Sequence, residues 1–122
     1  MNSNSSKINV KEFRFIRLVR DLPAIRSFYE EIFNWQVIDE WDEGVMYDTG
    51  ASVFELIYDA QAEKPNISHR ISILVSDVTS LFERLKDRVT IFVPLKHNGR
   101  DAMIFRMSDP DGFPITLFTP IK

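Results

Sequence analysis

Apolar positions along this chain follow two different periods, and the order in which those periods occur repeats. Phe13-Arg14-Phe15-Ile16-Arg17-Leu18-Val19 reads as a strand. It runs into Asp21-Leu22-Pro23, where Asp21 can cap a helix and Pro23 suits its first turn. Ile25, Phe28, Tyr29, Ile32 and Phe33 then recur at helical spacing on one face. Asn34 follows, a residue that tolerates the left-handed conformation found at helix ends. The pattern returns when Ile71, Ile73 and Val75 alternate as a strand, Asp77 caps, and Val78, Leu81, Phe82 and Leu85 mark a second helix. The 56-residue step from Asp21 to Asp77 also carries Val19 onto Val75 and Ile25 onto Leu81.

Three strand-like runs follow each helix. The first set is Trp35 to Trp41, Val45 to Asp48 and Ser52 to Tyr58, and the second is Thr90 to Leu95, Ala102 to Met107 and Pro114 to Thr119. Turn formers separate them: Asp42-Glu43-Gly44, Thr49-Gly50, Asn98-Gly99 and Asp109-Pro110-Asp111-Gly112. Here the step is 61 residues, taking Asp48 to Asp109 and Glu55 to Thr116, so the second copy carries a short insertion. The reading is an α+β chain of two tandem βαβββ modules. Residues 1–11 form a flexible lead, 12–59 the first module, 60–67 a polar linker containing Pro65, and 68–122 the second module. A module of this size buries its own sheet poorly, so two must share a core, within one chain or between two chains.

Composition narrows the function classes. Hydrophobic residues make up 44% of the 122, enough for a packed interior. A net charge of −3 gives no broad electrostatic footprint for nucleic acid. With no cysteine there is no disulfide framework, thiol nucleophile or thiolate metal site. The start, Met1-Asn2-Ser3-Asn4-Ser5-Ser6-Lys7, lacks the apolar stretch of a signal peptide, and no apolar run reaches the roughly 20 residues needed to span a bilayer. A soluble cytoplasmic protein without a membrane partner is the expectation. There is no Gly-rich phosphate loop, no Ser/His/Asp order and no His-Glu-x-x-His.

Several details together resemble the glyoxalase/bleomycin-resistance/dioxygenase superfamily, also called the vicinal oxygen chelate superfamily. They are Val19-Arg20-Asp21-Leu22 at the end of the first strand, Phe28-Tyr29 on the helix and Phe33-Asn34-Trp35 after it. Val53-Phe54-Glu55-Leu56, Val75-Ser76-Asp77-Val78 and Asp109-Pro110-Asp111-Gly112 complete the series, which covers residues 12 to 119. The resemblance implies curved mixed sheets enclosing a cleft and, for a chain of this length, a homodimer. Metal-dependent members of the family place one ligand on the first and one on the last strand of each module. Carried over, those positions are Arg14 and Arg70, then Glu55 and Thr116, with Phe15 taking the place of Arg14 if the first strand shifts by one residue. Only Glu55 can ligate a metal, because arginine offers no lone pair and one carboxylate does not hold a divalent ion.

These positions define the candidate site. Glu55 lies between Phe54 and Leu56 and needs a partner if buried; Arg70 is the natural one, with Arg14 or Arg17 as a second. His69 falls one residue off the ligand register and His97 sits in a turn, so neither is assigned to a metal. Trp35, Trp41, Tyr47, Tyr58, Met103 and Met107 are assigned mainly to core, and the Asp109 to Gly112 carboxylates to fixing a turn. The expected function is a metal-free, cofactor-free small-molecule-binding protein of the sequestering kind, its ligand carrying an acidic group for Arg70 and Arg14 or Arg17 beside Glu55 and Thr116. The alternative is a lyase or dioxygenase-type enzyme using an atypical metal set, or Glu55 as general base.

Overall fold

The computed structural model describes residues 7–121. The first module contains β1 (Arg14–Val19), α1 (Leu22–Ile32), β2 (Gln36–Trp41), β3 (Gly44–Asp48) and β4 (Val53–Tyr58). The second contains β5 (Ile71–Leu74), α2 (Val78–Leu85), β6 (Thr90–His97), β7 (Ala102–Ser108) and β8 (Pro114–Pro120). The chain divides into two compact units between Ala62 and Glu63, inside the expected linker. Residues 7–11 are exposed and form no helix or strand; the rest of the expected flexible lead lies outside the described residues.

Each module folds its own four-stranded sheet, in the order β1-β4-β3-β2 and β5-β8-β7-β6. The first strand pairs parallel with the last, which is why a helix must lie between them, and the remaining pairings are antiparallel. The last strand of each module is therefore central, flanked on both sides. The edge strands β2 and β6 are irregular, with register shifts at Val37/Asp39 in β2 and on both sides of Val93 in β6. Pro94 lies within the β6 irregularity, where its missing N–H breaks no regular ladder.

Both helices begin as the sequence predicts. The Asp21 carboxylate accepts from the Ala24 N–H at 3.2 Å and that of Asp77 from the Ser80 N–H at 3.1 Å. Asn34 has φ of 55°, ending α1 in the left-handed region. The α1 side of the first sheet is an aromatic cluster. Tyr29 packs on Phe54 with ring centroids 4.6 Å apart, Phe33 stacks on Trp35 at 4.3 Å, and Trp35 reaches Phe54 at 5.4 Å. In the second module Phe82 meets Phe105 edge-on at 5.2 Å, above buried Met107, Ile115 and Leu117.

One polar network pins α1 to its sheet. The Tyr47 hydroxyl, at the end of a fully buried side chain, donates to Glu30 Oε2 at 2.6 Å. Arg26 Nε donates to the same oxygen at 2.7 Å, and Arg26 also pairs with Glu40 at 3.0 Å. Burial alone would raise the Glu30 pKa, but the Tyr47 hydroxyl and then Arg26 outweigh it and hold the carboxyl below its ordinary range. Burial, reinforced by Glu30, pushes the Tyr47 phenol up, so it stays a donor. Because Glu30 is depressed in the folded state, its stabilising effect is complete above the unfolded carboxylate pKa and is lost as pH falls through the folded value. Tyr47→Phe is expected to lower stability at pH 7 by about 1 to 2 kcal/mol, below the full value of a charged hydrogen bond because Glu30 is partly solvated. Urea unfolding at pH 7 and at pH 3 checks this, the difference between wild type and variant shrinking at the lower pH.

Candidate functional site

Each sheet has one face against its helix and one face open, and strand alternation assigns every residue to one of them. Phe54 and Leu56 point toward α1, so Val53, Glu55 and Ile57 point the other way. The same alternation puts Phe15, Arg17 and Val19 on the α1 side, Phe15 stacking on Phe54 at 5.8 Å, and leaves Arg14, Ile16 and Leu18 on the open face. Arg14 thus shares the face of Glu55 and Phe15 does not, although Ile16 is the residue directly opposite Glu55 in the β1–β4 register and Arg14 stands opposite Val53. Arg17 is a correction to the expected site. It is 6% exposed on the helix-facing side, opposite Leu56, away from the face that carries Glu55.

The open face of the first module is largely apolar. Ile16 and Leu18 are half-exposed, and the Trp41 indole lies over Gly44, where a Cβ would come within 2.3 Å of the ring. Glu55 is only 7% exposed on the central strand, and the register puts Asp39 and Asp48 on the same face. Its expected principal partner is Arg70; within its own module its cation is Arg14, whose NH1 lies 3.6 Å from Oε1. Arg14 also bonds Glu12, and that contact, followed by the weaker pull of Glu55, holds its guanidinium above the ordinary value.

The second module builds a different surface on the equivalent strands. Ile115 and Leu117 face α2 with Phe105 and Met107, so Thr116, Phe118, Ile104 and Arg106 face the open side with Arg70 and Ser72. They line a hollow of about 640 Å³. Arg70 and Thr116, both expected in the site, are thus brought together. Arg106 is directly opposite Thr116 in the β7–β8 register, and its Nε donates to Thr116 Oγ1 at 2.9 Å. Burial, and then the nearby charge of Arg70, lower the Arg106 pKa. Lys96 and Arg100 line the same hollow.

Arg106, Lys96 and Arg100 line the hollow and are not among the residues picked from the sequence. Arg106 had a readable signal: Ile104 and Arg106 alternate with Phe105 and Met107, so one arginine must face away from the helix. The place of Arg100 depends on the β6–β7 turn, which is organised by Asn98. Its Oδ1 accepts from the N–H groups of Arg100, Asp101 and Ala102, while Gly99, at φ +83°, donates its own N–H to His97 Nδ1. Asp101 is the acidic residue of the hollow, and it is taken up by the Asn98 amide at 3.0 Å and Arg100 at 3.5 Å. The Asn98 bond, more than Arg100, holds its pKa below the usual carboxylate range. Among the described residues no carboxylate pairs with Arg70, Lys96 or Arg106.

Of the aromatic and thioether candidates, Tyr47 and Met107 are core, Trp35 joins the α1 cluster, and Trp41 and Tyr58 are 41% exposed. The Asp109 carboxylate does fix its turn, accepting from the Asp111 and Phe113 N–H groups, with Gly112 at φ +87°. His69 is exposed before β5.

A scan against family models matches residues 13–117 to the Glyoxalase/Bleomycin resistance protein/Dioxygenase superfamily, and the chain belongs to that family. Its fold is shared by solved structures of low sequence identity. A glyoxalase/bleomycin resistance protein/dioxygenase from Nocardioides is 16% identical with a TM-score of 0.79, covering 98% of this chain and 89% of that one. A glyoxalase/bleomycin resistance protein/dioxygenase family enzyme from Burkholderia phytofirmans PsJN gives 18%, 0.77, and 88% and 97%. TioX from Micromonospora sp. ML1 gives 13%, 0.75, and 92% and 100%. No curated protein sequence matches.

The residues on the family's metal positions do not fit a divalent ion. In the first module a guanidinium stands beside the one carboxylate, and in the second Arg70 stands in the first-strand position while Thr116 is engaged by another arginine. Among the described residues no three His, Asp or Glu side chains are grouped so as to hold a metal.

The Arg14–Glu55 pair is half-exposed on one side and buried on the other, so its strength falls between a surface and a buried pair. Arg14→Ala is expected to lower stability by leaving Glu55 without its cation. Adding Glu55→Gln should recover most of that loss, and a double-mutant cycle from denaturant unfolding measures the coupling.

Proposed function

We propose that this chain is a metal-free small-molecule-binding protein of its superfamily, and that its ligand presents an acidic group to the open face of the second module. The observation that carries the reading is the set of three cations, Arg70, Lys96 and Arg106, lining one hollow without a carboxylate partner among the described residues. Clustered like charges raise one another's cost, and an anion relieves it. Arginine favours carboxylate or phosphate groups through paired N–H donors, and Thr116 and Ser72 add hydroxyls. Val93, Ile104 and Phe118 supply apolar wall for an organic body.

Thermal shift with matched pairs of small molecules tests this. Benzoate should stabilise the protein where benzamide does not, by about 2.7 kcal/mol at a hundredfold excess over Kd. Arg106→Ala and Arg70→Ala should each remove the difference; equal effects of acid and amide would overturn the proposal. Elemental analysis after chelator-free purification addresses the metal. Less than a tenth of an equivalent of zinc, nickel, iron or manganese is expected, whereas a full equivalent lost on Glu55→Ala would favour the lyase or dioxygenase reading.

The chain is also proposed to work as a homodimer, on the ground that a short two-module chain with an open sheet face in each module gains burial by pairing. Sedimentation at micromolar concentration should give about twice the 14.3 kDa chain mass, and a compact monomer would count against it.

A further inference from the structure

Two hollows of the second module share the same pair of residues. Arg70 and Arg106 line both the polar hollow and a smaller one of about 260 Å³ whose other walls are Ile67, Phe92 and Pro114. The two arginines therefore stand between a cationic basin and an apolar notch. Ile67 is 75% exposed and Phe92 46% exposed, so the notch presents apolar surface to solvent.

The donors on the cationic side outnumber what one carboxylate can use. Arg106 Nε is already committed to Thr116 Oγ1, which leaves its two terminal nitrogens directed elsewhere. Because Thr116 Oγ1 is the acceptor in that bond, its own hydroxyl hydrogen remains available to donate. Arg70 keeps a whole guanidinium fork and Lys96 an ammonium. A carboxylate carries one charge on two coplanar oxygens, enough for one fork. A phosphoryl group carries a charge of about −1.5 to −2 at pH 7 on three oxygens in three directions, and so engages several convergent donors.

We infer that the acidic ligand is a phosphate monoester of a small apolar alcohol, its phosphoryl group held by Arg70, Arg106, Lys96 and the Thr116 hydroxyl and its apolar group seated on Ile67, Phe92 and Pro114. This rests on the acid-binding reading above and makes it specific. The lowered Arg106 pKa, caused by burial and then by Arg70, agrees with a pair that a dianion would neutralise.

Isothermal titration of the full chain with phenyl phosphate, benzoate and inorganic phosphate separates the two claims. At pH 7.5 phenyl phosphate should bind at least tenfold tighter than either of the others. Its affinity should fall about tenfold from pH 7.5 to pH 5, as the second phosphate ionisation near 6 is reversed, while benzoate changes little. Arg106→Gln should cost at least tenfold for phenyl phosphate, with circular dichroism confirming the fold. Phe92→Ala, at an exposed position, should weaken phenyl phosphate and leave inorganic phosphate unchanged. If benzoate binds as tightly as phenyl phosphate, the dianion inference falls and the acid-binding reading stands. If inorganic phosphate matches phenyl phosphate, the apolar seat is wrong and the inference falls as stated. If none of the three binds, both readings fail.

Discussion

The phase of the two central strands is the constraint on which the remainder depends. In β4 and β8 every second side chain must pack against a helix, and that packing is satisfied by Phe54 and Leu56 in one module and by Ile115 and Leu117 in the other. A slip of one residue would exchange faces, exposing the aromatic cluster and driving Glu55 into it, at a cost no surface contact could offset. Once that phase is set, Glu55 and Thr116 have only the open face to occupy. The cross-strand register then decides what stands beside them.

The two modules use one framework for different chemistry. On the first, an acid on the central strand is answered by an arginine from the neighbouring parallel strand. On the second, a hydroxyl occupies the same position and is answered by an arginine from the neighbouring antiparallel strand. The first surface sets acidic residues and one arginine among apolar side chains, while the second carries surplus positive charge around a concavity. Neither difference is visible in the net charge of −3, because that value sums over the whole chain.

What was legible in the sequence follows the strength of local signals. The caps at Asp21 and Asp77, the left-handed residue at Asn34 and the turn at Asp109 to Gly112 are encoded within a few residues and appear as read. Element order follows from the repeat, and the family resemblance from the short motifs set along it. Of the expected positions, strand period and repeat place Glu55 and Arg14 on one face of the first sheet and Arg70 and Thr116 around one hollow of the second. Arg17 enters the sequence reading only as an alternative to Arg14, and the phase set by Phe15 and Val19 turns it toward α1. Arg106, Lys96 and Arg100 belong to strands and a turn that the first- and last-strand comparison never samples. The position of Lys96 also depends on two register shifts in β6 that no local pattern announces.

The irregularity of β6 has its own effect on how copies of the chain can meet. An edge strand with a regular row of unpaired amides is a template for another strand, and the usual outcome is uncontrolled sheet extension. Pro94 has no N–H to offer such a template, and register shifts on either side of Val93 interrupt the regular ladder. These features disfavour cross-β stacking along this border without relying on a charged side chain. Lys96 is consequently left to the concave surface rather than conscripted as a guard against aggregation.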